Sequence, residues 1–233
     1  MTDSFTAELF DYAPDVLRVA FPVSRLVVDP ERLVDDSREP MAACGMGVIY
    51  TSTSQSTPLR AAPTPQVRKE LLDRFYYPHH AALSQAVSRA LWKFGSCVVV
   101  DCHSFPSRPR AYDLDQSARR PDICLGTDQF HTPDWLTEIF VGALEAEGYS
   151  VEVNTPFAGS LVPSKHYESD SRVASIMVEI NRGLYVDESS ASRLQAFTAC
   201  RDRLGRGLKK IRDALGQRYA VERLAALARE HAQ

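Results

Sequence analysis

The chain has 233 residues, 44% hydrophobic and 24% charged, with 11 Gly and 14 Pro, enough for one substantial core and too few turn-formers for a low-complexity protein. A formal net charge of -3 with no long basic block argues against nucleic acid as a partner, and Lys209-Lys210, interleaved with apolar residues, reads as the solvated face of a helix. No stretch approaches 18 uninterrupted apolar residues, Met1-Thr2-Asp3-Ser4 carries no export-signal pattern, and the five cysteines lack Cys-x-x-Cys spacing, so a soluble cytoplasmic protein with reduced thiols and no membrane partner is expected.

Thr2 to Ala13 places Phe5, Leu9 and Tyr12 or Ala13 on one face, which predicts a short helix. Thr2 is its candidate cap and Asp3 lies in its first turn, where complementing the helix dipole is a sufficient role. Val16–Phe21 and Leu26–Asp29 read as two β segments broken by Pro22, with Arg25, Asp29 and Arg32 punctuating their ends. Asp35 to Pro65 has little periodicity. An irregular excursion of that length is more often functional than a disordered insertion.

Gln66 to Phe94 carries Val67, Leu71, Phe75, Leu83, Val87, Leu91 and Phe94 at helical spacing, with Pro78 kinking or splitting the helix. His79 and His80 follow that proline. A kink there can free a ring to face a pocket, whereas a surface position is the simpler reading, and the one preferred for His79.

The stretch Cys97-Val98-Val99-Val100-Asp101-Cys102-His103 organises the chain. Its apolar run reads as a buried strand that delivers an acid and a histidine to a sheet edge, where α/β proteins keep their chemistry. Asp101 lies two positions before His103, on the same side of an extended chain, so it can sit near the ring or serve the next layer of the site. Cys102 points to the opposite face, which counts against a thiol enzyme built on Cys102 and His103.

Asp122–Thr127 and Tyr149–Asn154 read as strands around a helix opened by Thr132-Pro133 and closed near Gly148. Val173–Asn181 is the last strand, with Ile176, Val178 and Ile180 alternating against Ser175, Met177 and Glu179. Taken alone, Glu179 reads as a solvent-facing carboxylate, with Arg182 at the strand's end. Ser192–Glu230 reads as two amphipathic helices for packing or an oligomer contact, with Leu194, Phe197, Leu204, Leu208, Ile211 and Leu215 in the first and Val221, Leu224 and Leu227 in the second. The alternation implies an α/β three-layer sandwich with a mixed, mostly parallel sheet. Neither nucleotide-binding glycine motifs nor Gly-x-Ser-x-Gly is present.

Five stretches, in order, carry a resemblance: Ser24-Arg25-Leu26-Val27-Val28-Asp29-Pro30-Glu31-Arg32, Tyr76-Tyr77-Pro78-His79-His80-Ala81-Ala82-Leu83, Val100-Asp101-Cys102-His103-Ser104, Asn154-Thr155-Pro156-Phe157-Ala158-Gly159 and Val178-Glu179-Ile180-Asn181-Arg182-Gly183-Leu184-Tyr185. Together they resemble the N-formylglutamate amidohydrolase (N-formylglutamate deformylase) family over roughly residues 2 to 190.

The resemblance implies a zinc-dependent amidohydrolase with one divalent metal and a carboxypeptidase-like (phosphorylase/hydrolase-like) fold. The implied substrate is a small N-acyl amino acid, with N-formyl-L-glutamate cleaved to glutamate and formate in histidine degradation, by a monomer or homodimer. It further implies that His103 and Asp3 are metal ligands and Glu179 the general base, and that Arg25, Asp29, Arg32, His80, Asn154 and Arg182 line a site for an acidic substrate.

Family members also carry, before a Thr-Asp pair that Thr2-Asp3 resembles, a strand ending in a Pro-His-Ser-Gly-like loop whose histidine is a ligand. Residues 1–233 are therefore read as one such domain without that strand, with 191–233 as C-terminal helices. Three accounts stay open: a start placed too late, a site completed by His79, His80 or His166, and a metal-free pseudoenzyme or small-molecule binding domain that keeps the arginine-lined pocket.

Overall fold

The computed structural model describes residues 2–110, 113 and 115–230, with residues 222–230 described through their backbone alone. Its framework is a four-stranded sheet in the order β1-β4-β2-β3. The β-branched run of β1 (Cys97–Phe105) pairs in parallel with β4 (Val173–Asn181), in a register that sets His103 opposite Glu179. Strand β2 (Ile123–Gly126) runs antiparallel to β4 and parallel to β3 (Val151–Val153). The sheet is mixed and mostly parallel, as the alternation of elements implied.

Strand alternation decides the layers. Ile176, Val178 and Ile180 of β4, with Ile123 and Leu125 of β2, face one way. They pack under α1 (Thr6–Leu9), α4 (Asp134–Glu145) and α5 (Phe197–Glu230) through Leu9, Leu136, Phe140, Leu144, Leu204, Leu208 and Ile211. On the opposite face Val99 and Val173 meet Val87 and Leu91 of α3 (Tyr77–Phe94). The excursion after residue 26 builds a small core of its own there, with Val28, Val48 and Ile49 against Leu72. Burial of this apolar surface, worth about 25 cal/mol per Å2, holds the layers together.

Several expectations are corrected. The first helix spans four residues, and Phe5, at φ 60°, precedes it. Thr2 and Asp3 therefore lie outside it, because the Asp3 carboxylate is drawn into long-range bonds with Ser104 and Arg25 instead of the helix end. Residues 16–29 form no strand; β propensity without a partner strand gives no ladder.

Pro65–Leu71 is α2, and the chain continues into α3 through a π-helical turn at Leu72–Tyr76, where the Tyr77 amide bonds the Leu72 carbonyl. That widened turn absorbs Pro78 at the start of α3 without ending the helix. The helix expected to open at Thr132-Pro133 begins at Asp134 without a side-chain cap, and the Thr132 hydroxyl donates instead to the Ser175 carbonyl at 2.6 Å.

The C-terminal region is one helix of 34 residues, not two. Gly216 costs about 1 kcal/mol against Ala but leaves the helical bonds intact. The side chains of Leu224 and Leu227 lie outside the described residues. A short hairpin of β5 (Val186–Asp187) and β6 (Ser192–Arg193) precedes α5. No helix among the described residues is long and apolar enough to cross a membrane.

Candidate active site

A cleft of about 410 Å3 lies over the C-terminal ends of β1 and β4, on the sheet face that carries α3. Its floor is Asp101 and His103 from β1 with Met177 and Glu179 from β4. Its walls are Asp3, Arg25, Glu31, Arg32 and Tyr50 on one side, Arg110 and Asp113 from the loop after β1, and residues 157–161. Alternation does turn Glu179 away from the three aliphatic residues. Met46 and Tyr50 of the long excursion line the same cleft, so the half-buried Glu179 carboxylate faces the cleft instead of open solvent.

His103 is held between acids on both ring nitrogens. Nε2 lies 2.8 Å from Asp101 Oδ1 and 3.9 Å from Glu31 Oε2, and Nδ1 lies 3.5 Å from Asp3 Oδ2. Burial opposes protonation of the ring, yet Asp101 and Asp3 raise its pKa well above the usual imidazole value. Burial alone would raise the Asp3 carboxyl, but the bond with His103 and the charge of Arg25 hold it well below the carboxylate range. Burial, then the neighbouring Asp101, pushes Glu31 upward.

Burial pushes Glu179 up to about 7, with His103 pulling the other way. Its Oε2 is buried with no hydrogen-bond partner among the described residues.

Asp3 has little capacity left for an ion. Oδ1 accepts from the Ser104 amide and hydroxyl at 2.9 and 3.0 Å, and Oδ2 accepts from Arg25 at 2.7 Å. Arg182 extends the network, donating from Nε to the Ser104 hydroxyl and from Nη2 to its carbonyl. The group whose ligand atoms converge is Glu31, Asp101 and His103, all within 4.8 Å of one another. Two carboxylates and one imidazole form a three-ligand N/O set suited to a divalent ion with an open position.

Of the residues singled out by the resemblance, Asp3, Arg25, Arg32, His103, Glu179 and Arg182 line the cleft, and three do not. Asp29 has no exposed surface and lies behind the wall, accepting from Tyr50 and the Glu31 amide and pairing with Arg25 and Arg32 at 3.9 and 3.7 Å. His80 donates from Nε2 to the Pro30 carbonyl at 3.0 Å. Asn154 is tied to Thr127 through its carbonyl and amide, bracing the loop that supplies Phe157 to Gly159.

His79 stacks edge-on to Phe21, and His166 lies beside Asp170, so neither reaches the cleft. Cys102 faces the apolar layer, where burial pushes its thiol up to about 12, and a nucleophilic role is excluded by position.

Two further cleft residues, Glu31 and Arg110, are not singled out by sequence pattern: Glu31 lies within a matched stretch between Pro30 and Arg32, which is its one sequence signal, and Arg110 has none.

The sequence profile described as N-formylglutamate amidohydrolase matches residues 1–186. A protein of Pseudomonas putida named N-formylglutamate deformylase is 29% identical over 81% of this chain and 72% of its own length. One of the same name from Pseudomonas aeruginosa is 27% identical over 85% and 76%. The crystal structure of N-formylglutamate amidohydrolase from Ralstonia eutropha JMP134 matches with a TM-score of 0.78 at 27% identity, covering 94% of this chain and 84% of that one. A gene product of Agrobacterium tumefaciens shares the fold at a TM-score of 0.54 and 17% identity.

Proposed function

The chain belongs to the N-formylglutamate amidohydrolase family, and from that premise we propose that it is a metal-dependent amidohydrolase. Its substrate is N-formyl-L-glutamate, which water divides into formate and glutamate. The observation that carries this reading is the convergence of Glu31, Asp101 and His103 beside Glu179, whose Oε2 is buried with no hydrogen-bond partner among the described residues. We read the chain as one such domain, carboxypeptidase-like in its layering. A bacterial cytoplasm, histidine degradation and a monomeric or homodimeric state belong to the same proposal.

Glu31, Asp101 and His103 would hold one divalent ion, zinc in this reading, and Asp3 would orient the imidazole from Nδ1. Such an ion supplies Lewis-acid polarisation of a carbonyl and acidifies water to a pKa of about 7. Glu179 takes a proton from the attacking water and delivers it to the leaving amine nitrogen as the C–N bond breaks. Burial raises this carboxyl in the metal-free site, and a bound cation would pull it back toward the ionised form that a general base needs. Arg182, fixed by Ser104 beside Glu179, orients the substrate's α-carboxylate. The surrounding Phe105, Met177 and Phe157 restrict water.

The test is formate release from N-formyl-L-glutamate by protein loaded with zinc, with equimolar glutamate as the expected co-product. No formate from metal-replete protein overturns the reading. One observation favours a metal-free binding domain instead: His103 lies 2.8 Å from Asp101 and 3.5 Å from Asp3, so a protonated ring would satisfy both acids without an ion. Elemental analysis separates the two, since that domain would acquire no stoichiometric metal.

A further inference from the structure

We propose that Arg110 is the specificity-determining cation of the cleft, which receives the second, distal carboxylate of a dicarboxylate substrate. This rests on the amidohydrolase reading and adds the group that selects the side chain.

Four arginines line the cleft. Two are already neutralised within the protein: Arg25 by Asp3 at 2.7 Å and Asp29 at 3.9 Å, and Arg32 by Asp29 at 3.7 Å. Among the described residues Arg182 and Arg110 have no carboxylate within ion-pair distance. Arg182 uses Nε and Nη2 on Ser104, at the end where Glu179 stands.

Arg110 is anchored on a different residue, by one bond from Nη1 to the buried Ser54 hydroxyl at 2.7 Å. A guanidinium has five donors, so most of its fork remains for a ligand. Its nearest acid in sequence does not cancel it. Asp113 Oδ2 accepts the Arg110 backbone amide and pairs with Arg120 at 3.0 Å, in a pair whose side chains are 4% and 2% exposed. That pair consumes the Asp113 charge and leaves the Arg110 guanidinium as the uncompensated charge of its wall.

Two guanidinium groups without an ion-pair partner among the described residues, anchored apart on Ser54 and Ser104 in the lining of a 410 Å3 cleft, match a small molecule with two carboxylates. A substrate whose distal group is neutral leaves Arg110 unpaired, and that loss is the source of discrimination.

The experiment compares wild type, Arg110→Gln and Arg110→Lys on N-formyl-L-glutamate and N-formyl-L-glutamine, which share a shape and differ in the distal charge. Arg110→Gln is expected to lower kcat/KM for N-formyl-L-glutamate by about 100-fold, mainly through KM, and to change N-formyl-L-glutamine by less than about threefold. Arg110→Lys should fall between. Equal losses on both substrates, or no loss on either, overturn the proposal.

Calorimetric binding of L-glutamate and L-glutamine to the same three proteins keeps the two readings apart. A wild type that releases no formate yet prefers glutamate through Arg110 overturns the amidohydrolase reading and supports this one. Formate release with no Arg110-dependent preference does the reverse.

Discussion

Glu179 is the side chain whose environment departs furthest from what its strand position suggests. A half-buried carboxylate with an orphan oxygen is an electrostatic cost that the fold sustains. Glu179→Gln should therefore lower kcat for formate release about 100-fold or more while leaving KM nearly unchanged. Its raised pKa also sets a sign for stability. In chelator-treated protein, Glu179 stabilises the fold below its ordinary value of 4.5, and that contribution is lost as pH rises through about 7. Glu179→Gln should thus melt higher than wild type at pH 8 and show no such gain at pH 4. Of the residues in the matched stretches, His103, Arg182 and Glu179 line the cleft while Asp29, His80 and Asn154 lie outside its lining, because a motif marks which residues matter without saying whether they touch the substrate or the wall behind it. Glu31 and Arg110 sit in aperiodic loops, where neither alternation nor helical spacing reveals which way a side chain points.

At the scale of elements, the π-helical turn before Pro78 has a consequence for the cleft. It leads into Tyr76 and His80, one turn apart, which donate to the carbonyls of Arg32 and Pro30 at 3.1 and 3.0 Å. Those two bonds flank Glu31, whose own amide is held by Asp29 at 3.0 Å. The helix thus grips the turn that presents one arm of the candidate metal cluster. His80→Ala should weaken zinc affinity, read by chelator competition, by about 10-fold, and Tyr76→Phe should do so by less. Restoration by His80→Gln, whose amide nitrogen reaches as far as Nε2 and can still donate to Pro30, would distinguish a lost bond from lost packing. The helical period over residues 66–94 was legible in the sequence. The π turn was not, since the pattern of Leu71, Phe75 and Leu83 shows no clear slip at one widened turn. The failed strands at 16–29 have another cause: their partners would have to come from elsewhere in the fold, and no local pattern supplies them.

For the whole molecule, the layered α/β architecture follows from two periods in the sequence, alternation in β4 and helical spacing in the elements that cover it. Strand order does not follow, because nothing local in β2 shows that it enters antiparallel beside β4. The cleft gathers parts that are far apart along the chain. Asp3 bonds Ser104 across 101 residues, and Cys97 of β1 pairs with Val173 of β4. Such closures are slow relative to helix formation, since the entropy of a long loop must be overcome before any contact rewards it. Refolding should accordingly show helical circular dichroism returning well before formate-releasing activity. A site assembled from remote segments is in effect a proofreading device, silent in any molecule whose sheet has not yet closed.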